Sequence, residues 1–398
     1  MVPGSIPKMI FSDFKRYFFY IFEATTKLNI ISVILISAFL ILYTLLIVVL
    51  CFGFKRLKTD TLKSASTHHT SFSIIIPFRN EAENLNMLLE SLSDLNYPKS
   101  HFEIILIDDA STDASVALVE AFQQQTEVSI IVIENERFST SPKKDALAKG
   151  ISKAQFEWII TTDADCKVPE LWLQHYTQKI RAEDSQFIAG PVCFFESKGF
   201  FNTFQQLDFL SLQGATIGSF GLQQAFMCNG ANLAFSKTEF LRLKGYAETD
   251  HLASGDDVFL MQKFIKEMPK KVHYLKTSEA LVITQTQPNW KSLKDQRKRW
   301  AAKASAYTSW FAILTSLLVL LGNAALFTIV FHPEIWPLLL LKVTVDFLLI
   351  YQTASLFNQK KKLVYIPLVA VVYPFFTLYI ALASQFGKFE WKGRTFKK

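Results

Sequence analysis

Four stretches of this chain, 29–54, 307–331, 335–357 and 363–386, are nearly free of charge and long enough to cross a bilayer as helices. About 20 apolar residues in a helix span the hydrocarbon core, so the sequence reads as an integral membrane protein. Lys342 and Asp346 interrupt the third stretch. The first begins well inside the chain and lacks a small-residue cleavage pattern, which favours a retained anchor over a signal peptide. Lys55, Arg56, Lys58 and Lys63 follow it, as expected of a cytoplasmic flank facing the anionic leaflet of a plasma or inner membrane. Ahead of it, residues 1–28 place Ile10, Phe14, Tyr17, Phe18 and Ile21 at helical spacing. That N-terminal segment suits a helix in the membrane interface, and an extra-membrane packing helix fits equally.

Charge and cysteine usage exclude other classes. The formal net charge is +7, but the basic residues are dispersed, so no nucleic-acid partner is expected. Cys51, Cys166, Cys193 and Cys228 form no C-x-x-C pair, which argues against a zinc site or a disulfide framework.

Between the first span and the last three lies a segment of one-domain size, 55–303. Apolar runs at 71–77, 102–107, 129–133 and 157–161 predict buried strands, and 84–93 and 144–151 predict helices between them. Strands alternating with helices imply an α/β fold with a mostly parallel, Rossmann-like sheet whose ligands gather at the strand carboxyl ends. The polar residues fall there. Arg79, Asn80 and Glu81 follow the first strand, Asp108 and Asp109 the second, and Asp163 and Asp165 the fourth. Asp163 and Asp165 alternate as strand side chains do, which would bring both to one face, where carboxylate oxygens suit a divalent cation shared with phosphates. The alternatives are plain: a solvated loop for the acid pair, and helix capping for Asp108 and Asp109.

The motifs resemble, in order over roughly residues 70–303, the membrane-bound inverting family 2 glycosyltransferases, the group that includes cellulose, chitin and hyaluronan synthases. Ile-Ile-Ile-Pro-Phe-Arg-Asn-Glu (74–81) is similar to the family's first strand and loop, and Ile-Asp-Asp-Ala-Ser-Thr-Asp (107–113) to its second nucleotide-binding turn. Asp163-Ala-Asp165 is similar to its metal motif, Ser-Gly-Asp-Asp (254–257) to its catalytic acidic motif, usually Glu-Asp, and Gln296-Arg-Lys-Arg299-Trp300 to its Q-x-x-R-W signature. The resemblance implies a GT-A-like fold and a nucleotide-sugar donor, expected to be UDP-linked. Pro77, Arg79, Glu81, Asp109, Lys144, Asp163 and Arg299 would bind the donor, with Asp163 and Asp165 holding Mg²⁺ or Mn²⁺. Asp257 would be the general base, and Gly230, Asp256, Gln296 and Trp300 would serve the acceptor, a lipid or a glycan. Gly230, in Cys-Asn-Gly-Ala-Asn (228–232), would allow close backbone approach. Asp for Glu at 256 keeps the charge and shortens the reach. The rival readings are a processive polysaccharide synthase and a non-catalytic membrane scaffold built on a degenerate transferase domain.

Nucleotide sugars are cytoplasmic, so the 55–303 domain should be too. Three crossings after it would put the basic tail 387–398 outside, yet Lys360, Lys361 and Lys362 belong inside. The two clusters flank one apolar segment, and both can be cytoplasmic only if 363–386, with Pro367 and Pro374, is re-entrant or interfacial.

Overall fold

The structure, a computed structural model, describes residues 8–63, 68–250, 252, 254–303, 309–385, 389–391 and 394–396. A single long helix, α1 (Lys8–Arg56), contains the first apolar stretch and leads into the α/β domain. The side chains of the N-terminal segment 1–28 lie outside the described residues.

Strands β1 (Phe72–Phe78), β2 (Phe102–Asp108), β3 (Ser129–Glu134) and β4 (Trp158–Thr161) alternate with helices α2 (Ala82–Ser93), α3 (Ser115–Gln123) and α4 (Pro142–Lys153). After β4 come β5 (Cys166–Lys167), α5 (Trp172–Glu183), β6 (Phe187–Ala189), β7 (Val192–Phe194) and α6 (Phe200–Gly221). The domain closes with β8 (Leu233–Ser236), α7 (Lys237–Arg242), α8 (Val258–Glu267), β9 (Val272–Tyr274), β10 (Val282–Thr284) and α9 (Trp290–Ala302).

The main sheet has the order β3-β2-β1-β4-β8-β6-β9, and β5, β10 and β7 form a smaller one. Strands β1 to β4 pair in parallel, while β8 runs antiparallel to both neighbours. Central strands covered on both faces read as continuous apolar runs, and β1 shows why. Ile74 and Ile76 enter the core beneath α2 and α5, and Ile75 the core shared with α4 and α6. The predicted strands and helices of this half are present, each within a few residues of its expected bounds.

Helix α6 joins the domain to the membrane part. Its backbone comes so close to α1 that a Cβ on Gly53 would lie 2.1 Å from the Gly218 carbonyl oxygen, and only glycine fits there. Phe204 and Phe209 of α6 are buried: Phe204 packs on Phe376 and Phe209 on Phe194.

The membrane part adds α10 (Trp310–Ala324), α11 (Trp336–Leu356) and α12 (Ile366–Ala383). Three described segments are long and apolar enough to cross a bilayer, Asn29–Arg56, Trp310–Val330 and Lys360–Ala383, where sequence suggested four. The remaining segment forms α11, whose Lys342 and Asp346 pair at 2.8 Å while Asp346 accepts from the Tyr43 hydroxyl of α1 at 2.6 Å. At the far end of this bundle Ser32 of α1 meets His332, between α10 and α11, at 3.1 Å.

Helix α12 is different. Just before it, Lys362 donates to the Ser197 carbonyl at 3.1 Å, and near its end Tyr379 lies 5.4 Å from the Lys294 ammonium of α9. Both of its ends touch the α/β domain. Beyond it, β11 (Phe389–Trp391) and β12 (Arg394–Phe396) form a hairpin. Arg394 of β12 is ion-paired with Asp109 at the end of β2.

Candidate active site

One cavity of about 1320 Å³ opens at the carboxyl ends of β1, β2 and β4, and Pro77, Arg79, Glu81, Asp109, Asp163, Asp165, Gly230, Asp256, Asp257, Gln296, Arg299 and Trp300 all line it. Residues up to 223 positions apart in sequence thus share one cleft, as the open-sheet rule anticipates.

One end of the cavity is built by the turns after β1 and β2. Arg79 donates to the carbonyls of Asp109 and Ala110 at 2.6 and 2.7 Å, tying the two turns together. Asp108 accepts from the Ser111 backbone N–H at 2.9 Å, which closes the turn after β2 and does not cap α3, while Asp113 accepts from the Ser115 N–H at 3.0 Å. Glu81 accepts from Asn84 at 2.7 Å. Asp109 instead faces the cavity, and its Oδ1 takes bonds from Asn135 and Arg137, both at 2.9 Å. Its Oδ2 takes the Arg394 guanidinium. Burial alone would raise this carboxyl's pKa, but the Asn135, Arg394 and Arg137 bonds hold it below the ordinary value.

The acid pair sits in the turn between β4 and β5, not on a strand, so the alternation argument fails while its outcome stands: both residues line the cavity. Lys143, at the start of α4, places its Nζ 2.6 Å from Asp163 Oδ1 and 3.3 Å from Asp256 Oδ2. Lys144 does not reach the cavity. It is buried, with its ammonium donating to the Thr249 and Leu252 carbonyls, because successive helix positions diverge by about 100°. Of the two adjacent lysines it is Lys143, not the expected Lys144, that lines the cavity.

Asp256 and Asp257 precede α8 and both face the cavity. Asp257 caps that helix: its Oδ1 accepts from the Val258 N–H at 2.7 Å and lies 3.2 Å from Lys303 Nζ. Both contacts fall on Oδ1. Burial works against the charge on Asp256, yet Lys143, Lys303 and Lys144 together lower its pKa. A Cβ on Gly230 would come within 3.0 Å of Asp256 Oδ2, so glycine lets the backbone pass close to the acids. Thr161 at the end of β4 holds that loop by donating to the Gly230 carbonyl at 2.8 Å.

Helix α9 forms the opposite wall. Burial pulls the Arg299 pKa down, opposed by the charges of Asp256, Asp163, Asp257 and Asp165, so its guanidinium sits in the field of all four acids. Arg297 donates to Gln296 and, through Nε, to Asp208 of α6 at 2.8 Å. Its guanidinium also lies 4.2 Å from the centroid of Trp300. Sequence reading gave neither Asp208 nor Arg297 a role; Asp208 is the single charged residue of α6, and that was the available signal.

The donor set around Asp163 fits a divalent cation of the Mg²⁺ or Mn²⁺ kind. Two carboxylates converge on a cavity already able to hold an ammonium against Asp163, and such ions commonly take one or two carboxylates plus phosphate and water oxygens. Among the described residues no group of three or more His, Cys, Asp or Glu forms a complete protein cage.

Residues 73–241 match Glycosyl transferase family 2, and residues 158–383, more than half of the chain, match Glycosyl transferase family group 2. The chain is 28% identical over 122 residues to glycosyltransferase AglE of Haloferax volcanii, covering 31% of this chain and 39% of that protein. It is 23% identical over 248 residues to poly-beta-1,6-N-acetyl-D-glucosamine synthase of Staphylococcus epidermidis, covering 60% and 56%. The chain thus spans less than two thirds of the length of these curated relatives. Among solved structures, mannosyltransferase PcManGT from Pyrobaculum calidifontis, in complex with GDP-Man and Mn2+, has a TM-score of 0.54 at 19% identity, covering 85% of this chain and 99% of that one. That likeness is one of fold. With the family patterns lying across the sheet, the acidic turns and α9, the chain belongs to glycosyl transferase family 2.

Proposed function

We propose that this protein is a membrane-bound inverting glycosyltransferase that moves a sugar from a nucleotide donor to an acceptor at the cytoplasmic face. The observation that carries this reading is the convergence of Asp109, Asp163, Asp165, Asp256, Asp257 and Arg299 on one cavity. A degenerate scaffold has no need to keep acids at each of these turns.

The turns after β1 and β2 bind the nucleoside, with Arg79 and Asp109 as its polar floor. Asp163 and Asp165 would hold the cation, which when bound offsets the negative charge that grows on the departing diphosphate. Arg299 lies close enough to the same acids to share that electrostatic load. Asp257 Oδ2 takes the proton of the acceptor hydroxyl as that oxygen attacks the anomeric carbon from the face opposite the diphosphate. Trp300, fixed between Arg297 and Phe209, offers a flat aromatic surface on which a sugar ring can rest.

The contacts of α12 support a topology in which α1 and the α10–α11 hairpin cross the bilayer and α12 lies along the cytoplasmic interface. Lys362, Tyr379 and Arg394 then all remain on the side of the donor.

The test is donor turnover by the full chain in nanodiscs, across a panel of UDP- and GDP-sugars with Mg²⁺ or Mn²⁺. Replacing Asp257 by Asn should lower turnover by about 10²-fold or more while donor binding persists. Undiminished turnover in that variant would remove Asp257 from the chemistry, and no turnover of any donor by the unaltered protein would sink the enzymatic reading.

A further inference from the structure

The cavity does not end at the acids. It continues past Trp300 and the Arg297–Asp208 pair into the space between α10 and α12, where Leu317, Leu320, Ala324, Phe376, Ile380 and Leu382 line it. Two of these residues belong to the cavity and to the exterior at once: Leu317 is 48% and Leu382 66% exposed. They mark a lateral opening on the flank of an apolar helix pair. A groove walled by leucine, isoleucine and phenylalanine and opening sideways from a bilayer-length helix faces hydrocarbon, not water.

The polarity changes along its length. At the inner end stand Asp256, Asp257, Lys303 and Arg299; midway lie the indole of Trp300 and the buried ion pair; at the outer end the side chains of α10 and α12 are mostly apolar, with Ser316 and Thr377 among them. A ligand that satisfies the whole path has a hydroxyl-bearing head and at least one hydrocarbon chain. A soluble glycan would leave most of the outer part unfilled, and a transmembrane polymer would have to pass a largely aliphatic wall that offers its many hydroxyls few partners.

We infer that the acceptor is a membrane lipid with a hydroxylated head, which enters sideways between α10 and α12 and keeps its chain there during transfer. In the step this requires, the head-group oxygen forms the new bond to the anomeric carbon and gives its proton to Asp257. The bond from that carbon to the diphosphate oxygen breaks, and the nucleoside diphosphate leaves with the electron pair. The inference rests on the transferase reading and narrows its substrate class.

The test uses the full chain in nanodiscs doped with a diacylglycerol that carries a photoreactive diazirine on one acyl chain. Cross-linked peptides identified by mass spectrometry should concentrate on 316–324 and 376–382, at least fivefold above peptides carrying the outward-facing Ile313 and Val371, and Ala324→Trp should remove most of that excess. Since this variant could perturb folding, the unaltered protein is also assayed with alkyl-chain alcohols of increasing length and with a soluble oligosaccharide. Transfer should rise at least tenfold from a short to a long chain, and the oligosaccharide should be a poor acceptor. Labelling spread evenly over the exterior, or an oligosaccharide glycosylated as well as the lipid, overturns the lateral route. Hydrolysis of the donor by water, followed in the same samples, separates the two failures: donor turnover without these lipid signatures sinks only the acceptor inference, whereas no donor turnover sinks the transferase reading beneath it.

Discussion

Lys143 stands between Asp163 and Asp256, its ammonium 2.6 Å from one carboxylate and 3.3 Å from the other. Burial would drive this lysine toward neutrality, but the charges of Asp163, Asp256 and Asp257 outweigh it and keep the amine protonated well above its ordinary range. One side chain therefore couples the turn that would hold the cation to the loop that would hold the base.

Lys143→Met should accordingly change two measurements in opposite directions. With the ammonium gone, Asp163 loses its built-in competitor, and Mn²⁺ titrated in the absence of donor should bind roughly tenfold tighter, about 1.4 kcal/mol. Turnover should fall, because Asp256 loses its closest counter-charge. Manganese binding followed by electron paramagnetic resonance decides the first half; unchanged affinity would mean that Lys143 and the metal do not share Asp163.

Arg394 and Asp109 give a second prediction. Asp109 Oδ1 already carries two bonds and Oδ2 carries the guanidinium, so a nucleoside that donates to this carboxylate must share it with the tail. Arg394→Ala should tighten nucleoside diphosphate binding severalfold, about 1 kcal/mol, the net scale of a typical hydrogen bond. Calorimetry with UDP and GDP reads this directly. Weaker binding would show that the arginine belongs to the donor site.

The pH behaviour of Lys144 follows from its burial. Desolvation, opposed by Asp256, Asp257 and Asp250, brings its pKa from 10.5 down to about 8. Between those values the unfolded chain holds a proton that the folded chain lacks, so this residue's contribution to stability rises with pH across the window. The melting temperature of the native protein, compared with that of Lys144→Met, should therefore gain as pH goes from 8 to 10. Donor affinity should be the same in both, since Lys144 is not in the cavity wall; a parallel pH response of the two proteins would contradict the depressed value.

Arg297 and Asp208 test the wall beneath Trp300. The pair is buried, with side-chain exposures of 6% and 4%, so removing one member strands the other. Arg297→Met alone should cost about 3–5 kcal/mol of stability, and the double variant with Asp208→Leu should recover much of it. A double variant no more stable than the single one would show that the pair holds the α6–α9 contact by more than charge neutralisation.

Much of the catalytic half is legible in sequence, since a strand buried on both faces must be apolar throughout and a polar ligand can reach it only at its end. That logic brings Arg79, Asp109 and Asp163 to one edge before any coordinates are seen. Its limits are equally physical. Choosing Lys143 over Lys144 depends on the rotational phase of α4, which two adjacent lysines do not encode. The Asp208–Arg297 pair joins residues 89 positions apart, and no local pattern announces it. The conflict between the basic clusters at 360–362 and 387–398, together with Pro367 and Pro374, is the feature of the sequence that sets 363–386 apart from the other apolar segments. The contacts of Lys362 and Tyr379 with the α/β domain could not be read from it.

The pairing of Arg394 with Asp109 has a practical side. A purification tag joined close behind the β11–β12 hairpin would be tethered only a few residues from the cavity that Asp109 lines, where a run of histidines or an acidic epitope would compete for Arg394 or obstruct entry. Expression work on this protein should place its tag elsewhere or remove it before ligands are screened, and inhibitors that grip the hairpin would gain a foothold outside the sugar site.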